Sequence, residues 1–353
     1  MNQAFDDSCL LTGDLPAAAE EVIRGLASTG ARVRTAARGL GDHRLPDQGR
    51  PRGILVLGAE ARLIRSVLEP VCPVPLVAWP FGHLPAWVGP LDLVVAIDGD
   101  PTASWWDSPG APADPSASVA EAVRRGASVV VACPHSSACR QYLDGRDHVH
   151  VETGGTDPLA SAVAVLAVLD RMGLGPRVDP EQVARAADMV AEECSPHRGV
   201  TDNPAKDLAC ALAEADPLLW GGSVLAARAS RRVAEALRRA SGRSALAADA
   251  RALSPVIEAA TPRDPFRDPT LEAAPRRPVL VVLDDADPAG ERDRRHLEEL
   301  TAAHDVTVCR VGLPLGAEES GALDRYVSLL LRGRFAAAYL ALGLGRLDGQ
   351  DRA

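Results

Sequence analysis

A turn with two glycines and a serine joins a predicted strand to a long arginine-rich helix. Gly221, Gly222 and Ser223 would bring together free backbone amides, a hydroxyl group and the positive end of a helix dipole. An anion such as a sugar phosphate could bind there, and Arg228 and Arg231 further along the helix are either its partners or solvated side chains. The same residues also fit a structural turn in which Ser223 is an ordinary N-cap.

Acidic residues follow another predicted strand. Asp284, Asp285 and Asp287 come directly after the apolar run Val279–Leu283, a position in which carboxylates often bind magnesium. Turn formation and helix capping explain these acids without a metal. A phosphatase built around Asp284 would also need a nucleophile motif that the sequence lacks. No metal site and no cofactor are therefore predicted.

The N-terminal half contains weaker candidates of the same kind. Gly58 ends a predicted strand, but Glu60 would repel a phosphate, so a plain strand-to-helix turn is favoured. Asp98–Thr102 follows the next major strand, where capping explains the acids at least as well as catalysis does. His148 and His150 share one face of a strand and lack a third ligand, which favours a strand edge over a metal site.

Strand and helix patterns alternate along the chain and imply right-handed βαβ units. We therefore predict two doubly wound α/β domains with mostly parallel sheets, an N-terminal domain over residues 1–175 and a C-terminal domain over residues 176–353. Ligands of such sheets bind beyond the carboxyl ends of the strands. The predicted strands are Gly53–Gly58, Pro75–Trp79, Leu91–Asp98, Ser128–Cys133, His148–Glu152, Pro217–Trp220, Val279–Leu283 and Asp305–Val311.

Composition excludes several classes of function. The net charge of -10 provides no basic surface for nucleic acid, and the longest apolar run, Leu159–Leu169, is too short to span a membrane. Seven scattered cysteines without a Cys-x-x-Cys pair are typical of reduced thiols. Together with an N-terminus that lacks a basic leader, they predict a cytoplasmic protein.

The second half resembles the sugar isomerase (SIS) domain proteins, in particular the bifunctional phosphoglucose/phosphomannose isomerases and their actinobacterial relatives. The first half is similar in layout, with Gly58 at the end of its first strand and Thr153-Gly154 and Pro158 near its end. The residues that carry the resemblance in the second half are Asn203-Pro204-Ala205-Lys206, Pro217–Ser223, Ala226-Ala227-Arg228, Tyr326–Leu329, Gly333 and Tyr339–Leu342.

The resemblance implies a homodimer that binds a hexose phosphate and interconverts mannose 6-phosphate or glucose 6-phosphate with fructose 6-phosphate. In that family a glutamate moves a proton between C1 and C2 of an enediol, while His and Lys assist ring opening. The segments of this chain that correspond to the family's catalytic motifs lack those residues. Of the family's phosphate loop, Thr102 remains.

Glu258 or Asp249 would have to replace the missing base. Two interpretations therefore stay open. The chain is a phosphosugar isomerase with Glu258 as its base, or it is a catalytically silent relative that binds the sugar phosphate, or a neighbouring enzyme of mannose metabolism, and regulates it.

Overall fold

The computed structural model describes residues 5–38, 40, 49–99, 114–143, 148–261, 276–314, 316 and 320–347. The contacts divide the chain into two compact units. One comprises residues 28–185, and the other combines residues 1–27 with residues 186–353. The predicted domain bounds of 1–175 and 176–353 differ from this division mainly in where the first 27 residues belong, and they stay a prediction.

The described residues form nine strands and eleven α-helices. The strands are β1 Ile54–Gly58, β2 Leu76–Ala78, β3 Leu93–Ile97, β4 Ser128–Cys133, β5 His148–Glu152, β6 Ala215–Gly221, β7 Leu246–Ala247, β8 Arg277–Leu283 and β9 Thr307–Val311. The helices are α1 Ala17–Ala27, α2 Thr29–Ala36, α3 Ala61–Leu68, α4 Ser116–Arg124, α5 Pro158–Arg171, α6 Pro180–Glu193, α7 Pro204–Leu212, α8 Val224–Ser241, α9 Ala250–Glu258, α10 Glu291–Ala303 and α11 Ala322–Gly343.

The unit of residues 28–185 contains a five-stranded sheet in the order β2-β1-β3-β4-β5, and every pair in it is parallel. The central strands β3 and β4 are buried along their whole length, which explains their continuous Val- and Ala-rich runs. Leu55, Leu57, Val94 and Val129 lie in one hydrophobic cluster on a single face of the sheet.

The other unit contains a four-stranded parallel sheet in the order β7-β6-β8-β9. Side chains of α9 and α10 pack on the face that carries Leu218, Trp220, Leu280 and Val282. Right-handed crossovers place α8 and α10 on opposite faces, because β6 to β7 and β8 to β9 run in opposite directions across the sheet. Within the same unit α8 packs against α11 and α11 packs against α7.

Each sheet has a switch point, where the order of the strands reverses. It lies between β1 and β3 in the first sheet and between β6 and β8 in the second. Crevices for ligands form at such points, beyond the carboxyl ends of the strands. Gly221-Gly222-Ser223 and Asp284–Asp287 therefore follow the two strands that flank the second switch point.

The predicted fold class is confirmed: the chain is α/β with two parallel sheets flanked by helices. The short edge strand β7 was not predicted from the sequence. After β9 the described residues form one long helix, α11. None of the described helices is long and apolar enough to cross a membrane.

The N-terminal segment is held to its unit by Lys206, the only lysine in the sequence. Lys206 is 1% exposed, and its ammonium group donates hydrogen bonds to the carbonyl oxygens of Leu10 and Pro196 at 2.7 Å and of Arg198 at 2.9 Å. It also lies 5.5 Å from the centroid of the Tyr339 ring. Burial lowers the pKa of Lys206, but all three of its donors are satisfied.

Replacing this ammonium group should destabilise the protein. In Lys206→Met three carbonyl oxygens lose their donor, so we expect a loss of about 3 kcal/mol and a fall of roughly 5 to 10 °C in the unfolding midpoint. Arg62→Met is the control, because Arg62 is an exposed cation on α3. Both variants are measured by thermal unfolding. Equal shifts of the two unfolding midpoints would contradict the stabilising role of the Lys206 ammonium group.

Candidate functional site

Ser223 begins α8 and caps it. Its backbone is extended, and its hydroxyl oxygen accepts a hydrogen bond of 3.0 Å from the amide of Ala226. Gly242 ends the same helix with a φ of 64°, a left-handed conformation that suits glycine. The expected strand, turn and helix are therefore present, with the amino end of an 18-residue helix at the switch point of the sheet.

The two glycines before Ser223 allow close backbone packing. A Cβ atom on Gly221 would lie 2.3 Å from the carbonyl carbon of Ala226. One on Gly222 would lie 2.7 Å from the Cα atom of Gly290, in the loop that follows β8. Both distances are shorter than real Cβ contacts, so a side chain at either position would push backbone segments apart.

Asp285 faces the beginning of α8. This residue is 8% exposed, and one of its carboxylate oxygens accepts a short hydrogen bond from the Ser223 hydroxyl. Its backbone carbonyl accepts a bond of 3.0 Å from the guanidinium of Arg325, on α11. The Ser223 hydroxyl has a single donor, which it uses in its bond to the Asp285 carboxylate. A phosphate that bound to Ser223 would therefore compete with a negative charge that is already held there.

A cavity of about 340 Å³ opens beside this turn. Its walls include Gly222 and the indole of Trp220. The polar groups that line it are Asp284, Asp285, Asp287, Glu291 and Arg294.

Carboxylates dominate the lining of this cavity. Arg294 forms ion pairs with Glu291 and, at 3.6 Å, with Glu298, and the hydrogen bond from Arg294 holds the pKa of Glu291 below its usual range. The four acids can accept hydrogen bonds from the hydroxyl groups of a sugar, and the paired guanidinium can donate to them. The negative charges of the four acids oppose the binding of a free dianion at the same place.

The other candidate residues of the second half are Arg228, Asp249 and Glu258. Arg228 is partly buried on the second turn of α8. Asp249 is exposed and caps α9 through the amide of Ala252, at 2.9 Å. Glu258 is exposed at the other end of α9 and is not among the residues that line the cavity. A nine-residue helix is about 13 Å long, so Asp249 lies at the carboxyl edge of the sheet and Glu258 towards the opposite edge.

The candidates of the first half lie at the end of β1 and after β3. Gly58 has a φ of 83°, and a Cβ atom there would lie 2.1 Å from the carbonyl oxygen of Ile97. Glu60 follows it in a left-handed conformation. These features describe a tight turn. Thr102 lies outside the described residues.

A serine and an aspartate also meet in the first sheet. The hydroxyl of Ser137 donates a short hydrogen bond to Asp98, at the end of β3, and accepts one of 3.0 Å from the amide of Cys139. Burial raises the pKa of the neighbouring Cys133 thiol to about 11, so this thiol is protonated at neutral pH.

The described residues contain no group of three or more His, Cys, Asp or Glu side chains that could hold a metal ion. A ring nitrogen of His150 lies 3.2 Å from the carbonyl oxygen of Cys133. Asp285 and Asp287 contribute to backbone turns, accepting from the amides of Asp287 and Ala289. The capping and turn roles expected for these acids are therefore observed.

Sequence reasoning missed the pairing of Ser223 with Asp285 and the contribution of Glu291 and Arg294 to the cavity. The acidic run after β8 was visible, but its partner is 62 residues away in sequence. The spacing of Glu291 and Arg294 at the start of a helix is a further signal that could have been used.

Comparison with known proteins identifies the type of domain. Residues 201–347 match the family described as the bacterial phospho-glucose isomerase C-terminal SIS domain. No curated protein matches the chain in sequence.

Solved structures share the fold of nearly the whole chain. The tagatose-6-phosphate ketose/aldose isomerase of Escherichia coli superposes with a TM-score of 0.61 at 15% identity, covering 94% of this chain and 96% of that one. The C-terminal domain of the glucosamine-fructose-6-phosphate aminotransferase of Francisella tularensis gives 0.58 at 11% identity, covering 93% and 95%. These similarities establish the SIS fold.

The close approach of Gly222 and Gly290 predicts a sharp difference between two glycine variants. Gly222→Ala should lower the free energy of unfolding by about 2 kcal/mol, because the new methyl group meets backbone that cannot rotate away. Gly312→Ala is the matched control in the same unit, since nothing lies within 4 Å of its added Cβ atom. Equal unfolding midpoints for the two variants would show that the close approach of Gly222 and Gly290 is not required for stability.

Proposed function

We propose that this chain, an SIS-fold protein that carries a bacterial phosphoglucose isomerase C-terminal SIS domain over residues 201–347, binds a hexose phosphate. The ligand site is the switch point of the second sheet. The observation that carries the proposal is the cavity lined by Trp220, Gly222 and the loop after β8, next to the turn that precedes α8. It lies at the edge of the sheet where doubly wound folds bind their ligands.

Within this proposal, the two ends of the ligand contact different groups. The phosphate lies at the amino end of α8, near Gly221, Gly222 and Ser223, with Arg228 as its cation. The sugar hydroxyls lie against the carboxylates of the loop after β8. Gly58 and Thr102 would form the corresponding phosphate site of the first half.

The proposed reaction is the interconversion of mannose 6-phosphate or glucose 6-phosphate with fructose 6-phosphate. It requires a base that moves a proton between C1 and C2. Glu258 is the base assigned from the sequence, and Asp249 is its alternative. Asp249 is supported by its position at the carboxyl edge of the sheet. A homodimer in the cytoplasm is also part of this proposal.

Asp285 should oppose the binding of phosphate. Asp285→Asn removes a negative charge next to Ser223 while keeping a group that can accept its hydroxyl. We expect inorganic phosphate and glucose 6-phosphate to bind about tenfold more tightly to this variant, as measured by titration calorimetry. Arg228→Ala should weaken both ligands, while Arg231→Ala, on the exposed side of the same helix, is the control. Unchanged affinity in both Asp285→Asn and Arg228→Ala would place the phosphate elsewhere.

Isomerase activity is tested separately from binding. In an assay coupled to the formation of fructose 6-phosphate, we expect turnover of mannose 6-phosphate or glucose 6-phosphate that falls about 10²- to 10⁴-fold when the base is removed. Glu258→Gln and Asp249→Asn distinguish the two candidates, and Asn retains the ability to cap α9. Binding without turnover would support the catalytically silent interpretation and reject the isomerase.

A further inference from the structure

Three arginines from distant parts of the sequence meet at the edge of the second sheet where its strands begin. Arg243 lies in the turn between α8 and β7, Arg276 directly precedes β8, and Arg346 follows α11. We call this the amino edge. The 18 residues of α8 extend over about 27 Å, so the amino edge is remote from Ser223 and the cavity at the other end of that helix.

The guanidinium of Arg346 lies against the end of α8. Gly242 ends this helix in a left-handed conformation. A Cβ atom on Gly242 would lie 2.7 Å and 2.8 Å from the two terminal nitrogens of Arg346, so a side chain there would displace the guanidinium. Arg243 is the next residue in the chain, and its backbone therefore lies beside the same guanidinium.

Arg243 and Arg276 come together at the beginning of β6. The guanidinium of Arg243 donates a short hydrogen bond to the carbonyl oxygen of Ala213, which shortly precedes this strand. Ala215 of β6 is in register with Arg277 of β8, so Arg276 lies one residue before that pair. Because neighbouring strands are only about 4.8 Å apart, the side chains of Arg243 and Arg276 lie within reach of each other.

None of these three guanidiniums forms an ion pair with a residue that the structure describes. Arg277, by contrast, pairs with Asp305 at 3.0 Å. Two acids lie nearby without pairing with the three arginines. Glu214 is exposed, and Asp216 accepts a hydrogen bond of 3.4 Å from the Ser244 hydroxyl. The amino edge therefore holds like charges without a counterion bound directly to them.

The proximity of these charges affects Arg243. Burial lowers the pKa of its guanidinium, and the charges of Arg276 and Arg346 lower it further. Glu214 and Asp216 raise this pKa by less, so it stays below its ordinary value. Cations that the fold holds together repel each other, and an anion that binds between them removes this repulsion.

The dipole of α8 does not account for the three arginines. The carboxyl end of a helix attracts cations, because it carries about half a negative elementary charge. Arg238 and Arg239 in the last turn of α8 already provide them. Arg238 also donates a hydrogen bond of 2.8 Å to the carbonyl oxygen of Ala245. The arginines beyond the helix therefore exceed what its dipole requires.

We propose that Arg243, Arg276 and Arg346 bind a phosphate group of a small anion. A guanidinium is always charged and presents its donors in a planar fork that matches phosphate oxygens. A phosphate group concentrates about two negative charges in a small volume, which suits cations that come from three segments, whereas a carboxylate carries one. This site is independent of the sugar-phosphate site in the crevice, because it lies at the opposite edge of the sheet.

Titration calorimetry with inorganic pyrophosphate tests the site. We expect the wild-type protein to bind it with a Kd below about 1 mM at roughly 0.1 M ionic strength. Arg276→Gln and Arg346→Gln should each raise this Kd by about tenfold or more, because each removes one charged donor. Both side chains are exposed, so the unfolding midpoints should stay unchanged. Arg231→Gln is the control, since Arg231 is exposed in the middle of α8.

Several results would overturn this proposal. One is a wild-type protein that binds no pyrophosphate at about 1 mM. Another is an affinity that Arg276→Gln and Arg346→Gln leave unchanged, or that Arg231→Gln weakens equally. Citrate that binds as tightly as pyrophosphate, and through the same arginines, would reject a phosphate group as the ligand.

A further variant separates the amino edge from the crevice. Arg228→Ala removes the cation proposed for the crevice and should leave the binding of pyrophosphate at the amino edge unchanged. Loss of binding in Arg228→Ala but not in Arg276→Gln would place the anion in the crevice and overturn the present proposal.

ADP, as a second probe, distinguishes two sources of the phosphate group. Binding of ADP that requires Arg276 assigns the site to phosphate esters, and binding of pyrophosphate alone assigns it to inorganic anions. Both results support the site.

Discussion

The contact between Gly222 and Gly290 brings two backbone segments closer than any side chain would allow. It joins the end of β6 to the loop after β8, the two strands that flank the switch point. Three features depend on it. The first is the position of Asp285 next to Ser223, and the second is the wall of the cavity, which Gly222 and Gly290 both line. The third is the direction in which α8 leaves the sheet, since Gly221 lies directly against the first turn of that helix.

The two sheets use the same interaction at their carboxyl edges. In each, a serine that caps a helical segment donates its hydroxyl to an aspartate that follows a central strand: Ser137 to Asp98 in one, Ser223 to Asp285 in the other. A capping serine has one donor and two acceptor sites, so it can accept from an amide and donate to a carboxylate at once. The pair fixes the loop on the neighbouring strand. It also places a negative charge where a ligand phosphate would otherwise be the natural occupant.

Local signals were sufficient to predict most strands, because each is an apolar run bounded by turn residues, and Ser128–Cys133 and His148–Glu152 have the predicted bounds. Leu246–Ala247 could not be predicted, since two residues carry no periodic pattern. The N-cap role of Ser223 followed from its position before an amphipathic run. The hydrogen bond from Ser223 to Asp285 could not be predicted, because β7 lies between β6 and β8 in sequence. Nothing local shows that β6 and β8 are neighbours in the sheet.

The distribution of charge decides what the crevice can bind. The net charge of -10 opposes an approaching dianion, but at physiological salt this field is screened beyond about 8 Å. Binding therefore depends on groups close to the crevice. A helix terminus contributes about 0.3 to 1 kcal/mol towards an anion, whereas a carboxylate 4 Å away would oppose it by between about 1 kcal/mol in bulk water and about 4 kcal/mol at an effective dielectric constant of 20. The beginning of α8 alone would not offset the carboxylate of Asp285, so the proposed phosphate would need Arg228 or a movement of that carboxylate. In this proposal, the residue that shapes the crevice would also limit its affinity for phosphate.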